Sequence, residues 1–530
     1  MTPDDHGRFP RADSRQPTLG PPNIPPITDP ISALQVDIRH GLAWSSVSSL
    51  VMRLGTFAVG IFLARMFSHE EFGVYAVVLT VQAVLMTVAD FGLSTDLIRS
   101  GDHTRKAPTV ATLSLGISAV LTAITMAVAA ELAASVGAPG GGPVLAVMSL
   151  TLLIAGVGVV PYATLQREFR QRELFLISVV DFAVGTALTL VLILAGLGVM
   201  SLAVSRVAAQ SIAVILQYRF VGERPRLGFD RSVARGVVAF GLPVAGANLL
   251  SWALLGADKM LLSGMAGAAA LGVYFLAFNI ANWPMSALGQ VVRSVSLPTF
   301  SRVSDATGDR ALGIAWGPVW SISVLAGLLL TVLASPAVQL LYGTRWLEAA
   351  PLLMILGAFG ALRTVLDLAT TYLLARGYST RVLWLQLGWM VILVPGLVLG
   401  IRTAGAVGAA LAQVTAGALL LLLYGISLAR VGTDIRAVWA SFWPPLAAAV
   451  VAAPAAWACT LIAHRPLVDL LVGGVVGTAV YTALLWRWFR GRLNEARRLG
   501  SAHTATLGTE PPGSPSVIGR TVQGGPHHEA

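Results

Sequence analysis

Fourteen apolar stretches, each about long enough to cross a bilayer as a helix, follow one another through this chain with short polar breaks. They fall near residues 41–65, 72–98, 108–135, 143–165, 174–197, 199–220, 236–263, 271–292, 311–340, 350–375, 381–401, 404–430, 437–463 and 466–489. A helix rises 1.5 Å per residue, so roughly 30 Å of hydrocarbon takes about 20 residues. Hydrocarbon offers no hydrogen bonds to the backbone, and a run of this length meets its own only as a helix. Composition agrees: 55% of the 530 residues are hydrophobic and 12% charged, against a charged share of about 25% in soluble domains. The expected class is an all-α polytopic membrane protein.

The net charge of +10 does not point to nucleic acid, because Lys and Arg are scattered through short breaks and gather on no polar domain. Their distribution orients the chain instead, since basic residues concentrate in short cytoplasmic loops. With the N-terminus inside, the inner loops hold Arg99, Arg105, Lys106, Arg167, Arg170, Arg172, Arg219, Arg224, Arg226, Arg231, Arg235, Arg293, Arg302, Arg310, Arg376, Arg381, Arg430 and Arg436. The outer loops hold Arg65, Arg345, Arg402 and Arg465. One missed helix would invert the bias for every later loop, so the asymmetry favours fourteen spans with both termini cytoplasmic. The single Cys459 excludes a disulfide framework within the chain.

Residues 1–40 and the end beyond about 490, first basic and then Gly/Pro/Ser-rich, read as disordered cytoplasmic tails. Between them the chain repeats. Tyr75 and Tyr274 each follow a Gly-Val pair and open a long apolar helix closed by a basic residue; Tyr162 with the loop REFRQRELF is echoed by Tyr372 with RGYSTRVLW. The spacing is close to 200 residues. Six helices per copy leave both copies in one orientation, a parallel repeat about an axis along the membrane normal. The map is therefore a six-helix bundle over 41–220, a cytoplasmic linker at 221–235, a second six-helix bundle over 236–430, and an extra pair over 437–489.

ADFGLSTDLIR (Ala89 to Arg99), GADKMLLSGMAGAAALGVYFLAFNIANWPMSALGQVVRSVSLPTFSR (Gly256 to Arg302) and the TLQREFR loop (Thr164 to Arg170) resemble the polysaccharide exporter and lipid-linked oligosaccharide flippase family. Its superfamily also holds the multidrug and toxin extrusion antiporters and the lipid II flippases. The resemblance spans about residues 40–490 and is strongest over 240–305. It implies an inner-membrane transporter that moves an undecaprenyl-pyrophosphate-linked saccharide repeat unit by alternating access between two bundles. The partners it implies are the lipid-linked saccharide, membrane lipids, and polymerase or glycosyltransferase machinery. Two rivals remain: a cation-coupled multidrug-type antiporter, and an integral-membrane glycosyltransferase, polymerase or ligase, which would want a sizeable outer loop.

A charge at mid-membrane costs about 2.5–3.5 kcal/mol on insertion scales, so intramembrane ionisable residues are the site candidates. Arg53, halfway along the first helix, would offer a guanidinium fork to a pyrophosphate or acidic sugar, or else a structural ion pair. Asp258 and Lys259 are adjacent, hence about 100° apart on their helix, and each is expected to need another partner. Asp90 would answer Arg53, couple H⁺ or Na⁺, or pair with a loop arginine. Asn279 and Asn282 read as interhelical hydrogen bonders or sugar contacts. Arg363 and Asp367, four apart, read as a structural ion pair. Nothing fits a nucleotide-binding GxxxxGK[ST] loop, and the histidines of the membrane domain are isolated, so no cofactor, metal or catalytic residue is assigned and no enzyme is expected.

Overall fold

A computed structural model describes residues 52, 54–99, 102–222, 226–302, 305–433, 435–463 and 465–507. The chain divides into two compact units, Met1–Leu54 and Gly55–Ala530, and the second carries the helical assembly. Every regular element among the described residues is helical: α1 (Leu54–Met66), then α2 (His69–Asp90), α3 (Leu93–Arg99), α4 (His103–Ser135), α5 (Gly142–Arg167), α6 (Gln171–Leu194), α7 (Met200–Val221), α8 (Arg231–Arg302), α9 (Asp305–Val332), α10 (Ala334–Tyr342), α11 (Ala349–Ala375), α12 (Ser379–Ala429), α13 (Ile435–Ala463) and α14 (Pro466–Leu507). Local chemistry sets several ends. Ser68 and Glu71 close a reciprocal capping box at the start of α2, with Ser68 N–H donating to Glu71 Oε2 at 2.8 Å. α14 runs on to Leu507 because RGRLNEARRL is rich in helix formers, so residues 490–507, expected as tail, are helical.

Two of these helices double back. α8 has 72 residues, which would make a straight rod of about 108 Å. At Gly267 the backbone leaves the helix (φ 85°, ψ 168°), a region open to glycine at little cost. Tyr274 on the far side donates a hydrogen bond to Asp258 on the near side at 2.8 Å, a contact sixteen residues apart that only antiparallel arms allow. α12 breaks at Ala404 and Gly405, and Gly400 meets Gly408 backbone to backbone across the reversal. By length and composition, ten helices among the described residues can cross a membrane, or eleven if α9 and α10, bent by 70°, are one span. The expected count of fourteen is not established by that measure. α8 and α12 each count once despite their reversals, and the first expected span shows only the short α1, most of its residues lying outside those described.

The halves of the second unit share a core. Phe67, Phe72 and Val77 from α2 and its approach pack with Leu271, Tyr274, Trp346 and Leu353. At the end holding the loops with Arg65 and Arg345, two arginines exchange places. Arg65 donates to the Leu340 and Leu341 carbonyls at the end of α10, at 2.7 and 2.9 Å. Arg345 donates to the Ala64 and Phe67 carbonyls at the end of α1, joined on Ala64 by the Trp346 indole at 2.7 Å. Cations at helix C-termini meet unsatisfied carbonyls and the negative end of the dipole. His69 packs edge-on against Trp346 at 4.3 Å and completes the clamp. At the opposite end, the connection into α8 is pinned to α4: Asp230 caps α8 through Ser232 and Val233, accepts from Arg105 at 3.2 Å, and its N–H donates to Thr109 at 3.1 Å.

Candidate functional site

α2 ends at Asp90, and the turn through Phe91 (φ 47°) and Gly92 starts α3 immediately. Asp90 and Ser94 thereby face one cavity enclosed by α2, α3, α4, α5 and α7, with about 700 Å³ of empty space. α4 contributes Ser118, α5 contributes Tyr162, and α7 contributes Gln210 and Gln217. Two α5 glycines keep it open: a Cβ at Gly156 would collide with the Ser118 hydroxyl, and one at Gly158 would stand 3.0 Å from Gln217 Oε1. The Ser118 Oγ, Gln210 Oε1 and Gln217 Oε1 atoms are buried and have no hydrogen-bond partner. Leaving a buried polar atom unmet costs about 1–3 kcal/mol, so three in one cavity mark a wall built for something the protein itself does not supply. Around it the polar seam is tied: Gln210 Nε2 donates to the Thr151 carbonyl at 3.2 Å, and Gln82 Nε2 donates to the Thr151 hydroxyl.

The charges of α8 have the opposite surroundings. Asp258 is 2% exposed. Its Oδ1 accepts from Lys259 N–H at 2.9 Å and from Lys259 Nζ at 3.3 Å; its Oδ2 accepts from Tyr274 at 2.8 Å and from Gln413 Nε2 at 3.2 Å. The Lys259 ammonium lies over the Phe278 ring at 4.2 Å. Adjacent residues were expected to point too far apart to satisfy each other. The flexible lysine stem curls back and makes the contact, while the reversal at Gly267 brings Tyr274 and Phe278 alongside.

The remaining candidates scatter. Asn279 is exposed and Asn282 half-buried. Asn282 and Arg363, with Met285 and Phe359, line a narrow cleft whose space for a water-sized sphere is about 10 Å³. Beside it Trp283 stacks on Phe57 at 5.5 Å. Among the described residues no ion pair joins Arg363 to Asp367, and Asp367 has an interaction of its own. Four-residue spacing permits such a pair, but its worth of about 0.2–0.5 kcal/mol is easily overridden by packing. Arg53 lies outside the described residues.

Sequence reasoning passed over two intramembrane charges that the fold pairs, Asp181 of α6 and Arg206 of α7, whose side chains meet at 2.8 Å. Each stands alone in an apolar run, the same signal that singled out Arg53. It also passed over Gln210, Gln217 and Ser118, which have no charge to attract notice. Lys106 and Asp96, 3.0 Å apart, join α4 to α3. At the basic end Arg105 and Arg167 line a second cavity with His103, which bonds Thr164 at 3.1 Å. Among the described residues no three His, Cys, Asp or Glu side chains gather in a way that could hold a metal.

Known proteins place this architecture. The succinoglycan biosynthesis transport protein ExoT of Rhizobium meliloti is 24% identical over 460 residues, covering 84% of this chain and 92% of that protein. The lipopolysaccharide biosynthesis protein WzxC of Escherichia coli is 23% identical over 419 residues, covering 76% and 84%. Among solved structures, the lipid II flippase MurJ in its inward closed conformation superposes with a TM-score of 0.70 over 84% of this chain and 99% of that one, at 13% identity. An inward-facing multidrug resistance MATE family transporter reaches 0.58 over 72% and 95%, at 17% identity. Likeness at such identities establishes the fold. Residues 62–351, over half of the chain, match the family described as polysaccharide biosynthesis protein, and the chain belongs to that family.

Proposed function

We propose that this chain is a flippase, a membrane transporter and not an enzyme, which carries a lipid-linked saccharide across the cytoplasmic membrane for surface polysaccharide biosynthesis. The observation that carries the reading is the similarity to ExoT, a protein named for transport, over nearly the full length of both chains. The geometry supports alternating access. One end of the assembly is closed by the reciprocal arginine clamp, whose bonds are few, directional and breakable together, while a polar cavity lies inside the first bundle. A bistable contact of this kind is what a rocking transporter needs at each end of its cycle.

The finer parts of the reading are an undecaprenyl-pyrophosphate carrier, cytoplasmic termini, and association with a saccharide polymerase or with glycosyltransferases. Arg53 stays the candidate for the pyrophosphate, and Asp90 a candidate for coupling to H⁺ or Na⁺. The test is deletion of the gene, followed by extraction of lipid-linked saccharides and assay of surface polysaccharide. Accumulated intermediate and lost polymer, both reversed by the wild-type gene, are expected. Normal polymer with heightened sensitivity to cationic drugs would instead select the antiporter reading, which the MATE-like fold accommodates.

A further inference from the structure

Resting on the flippase reading, we propose that the cavity around Asp90 is a subsite for the saccharide part of the cargo, recognising its hydroxyl groups and not its phosphate linkage. The wall presents several unmet acceptors, beside the hydroxyls of Ser94, Ser118 and Tyr162, which can donate as well as accept. Ser118, Gln210 and Gln217 present buried oxygens with no partner, and Asp90 adds a carboxylate. A ligand that fits must bring several hydrogen-bond donors on one frame, as the hydroxyls of a sugar ring do.

Other occupants fit less well. Asp90 is the only fully charged side chain among the described residues lining the cavity, so a phosphate would meet a like charge with no cation among those residues to answer it. A hard metal cation such as calcium takes about six to eight oxygen ligands, carboxylates prominent among them, and the described lining of this cavity offers one carboxylate. The part of the cavity that a water-sized sphere can occupy is about 240 Å³, a little under the range of about 300–1,000 Å³ usual for drug-sized ligands and on the scale of a single sugar ring. Tyr162, 39% exposed, offers an aromatic face at the cavity for the C–H face of a sugar, with Val159 and Val214 beside it. Nor is the wall an ordinary structural seam. Some buried hydroxyls elsewhere are paired, Thr189 with Ser205 at 2.6 Å and Tyr481 with the Ser321 carbonyl at 2.8 Å; those of Ser114, Ser263 and Thr433 are unmet but do not line this cavity, where Ser118, Gln210 and Gln217 bring three unmet oxygens to one space.

The test uses the full-length protein in nanodiscs, wild type and the Ser118→Ala, Gln217→Leu double variant. Free N-acetylglucosamine, galactose and glucuronic acid are titrated with saturation-transfer NMR, and each melting temperature is recorded. At least one neutral sugar is expected to bind saturably to the wild type. The double variant is expected to bind it about 25-fold more weakly, roughly fivefold for each lost contact. Its melting temperature should be unchanged or higher, because no internal bond is removed. Sugar binding absent from the wild type, equal in the variant, or confined to the anionic sugar would overturn the subsite. So would displacement of the sugar by tetraphenylphosphonium whose own binding is abolished by Asp90→Asn, which would assign the cavity to organic cations. Complementation of the deletion strain is scored separately: a wild type that restores polymer without binding sugar loses the subsite and keeps the flippase, and one that fails to restore polymer loses both.

Discussion

Asp90 and Asp258 are both acids inside apolar helices, one in each half of the chain, and their surroundings differ in kind. Asp258 is closed in by Lys259, Tyr274 and Gln413, so both carboxylate oxygens are met. Asp90 looks into a cavity where further oxygens wait without partners. The difference separates two uses of intramembrane charge. A charge whose bonds are complete fastens helices together, here the two arms of α8 to α12. One beside unmet polar atoms is available to something that arrives from outside the fold.

The largest expected effect tests the fastened side. Asp258→Ala takes away the carboxylate to which Lys259, Tyr274 and Gln413 all donate, and removing one member of a buried pair costs about 3–5 kcal/mol; a sharply lower melting temperature and little folded protein in membranes are expected. A stable, fully active Asp258→Ala protein would break the distinction. Next comes the clamp, which extends the comparison from side chains to the two ends of the molecule. Arg345→Ala removes two charge-assisted bonds to α1, and a net loss of about 2 kcal/mol shifts a two-state equilibrium about 30-fold. Faster labelling of a Tyr342→Cys reporter by an impermeant maleimide, in a Cys459→Ser background, is the measurement; unchanged labelling would show that the clamp does not hold that end shut.

Arg363 sharpens the contrast from the other side, because it belongs to the second half yet has no acid partner among the described residues. Arg363→Ala is expected to change stability by no more than about 0.5 kcal/mol, and a double-mutant cycle with Asp367→Ala should show no coupling. The smallest effect belongs to the loop entering α8. The Ser232 hydroxyl and N–H, with Arg105 and the Val233 N–H, hold the Asp230 carboxyl down to about 2, below its ordinary 3.8. A depressed carboxyl contributes its full stability above the ordinary value and loses it as pH falls toward the depressed one. Asp230→Asn should therefore lower stability in the neutral range, converge with wild type near the depressed value and so flatten the acid loss between the two, as melting curves across pH would report.

Much of the fold was legible because hydrocarbon tolerates few alternatives: apolar runs predict helices, and the basic loops predict which ends lie together. The reversals were harder to place. Gly267 lies among SGMAGAAALG, where nothing polar marks a loop, and only a positive φ tells the turn from the helix. Pairing was harder still. Asp258 and Lys259, expected each to need another partner, have them in Tyr274, Gln413 and Phe278 and also meet each other, whereas Arg363 and Asp367 sit at ideal spacing with no ion pair between them among the described residues. Which partner wins depends on helices brought together from distant parts of the chain, here α12 supplying Gln413. The cavity was least visible, since its makers are two glycines, a serine and two glutamines, each unremarkable alone.

The most direct test compares the two acids in one assay. Lipid-linked saccharide would be quantified in deletion cells carrying wild type, Asp90→Asn or Asp258→Asn, at matched levels of folded protein, with melting temperatures taken on the same preparations. Asp90→Asn is expected to melt like wild type yet accumulate the lipid-linked intermediate, while Asp258→Asn loses stability first and transport only in proportion to folded protein. An Asp90→Asn protein that melts normally and clears the intermediate as wild type does would contradict that expectation.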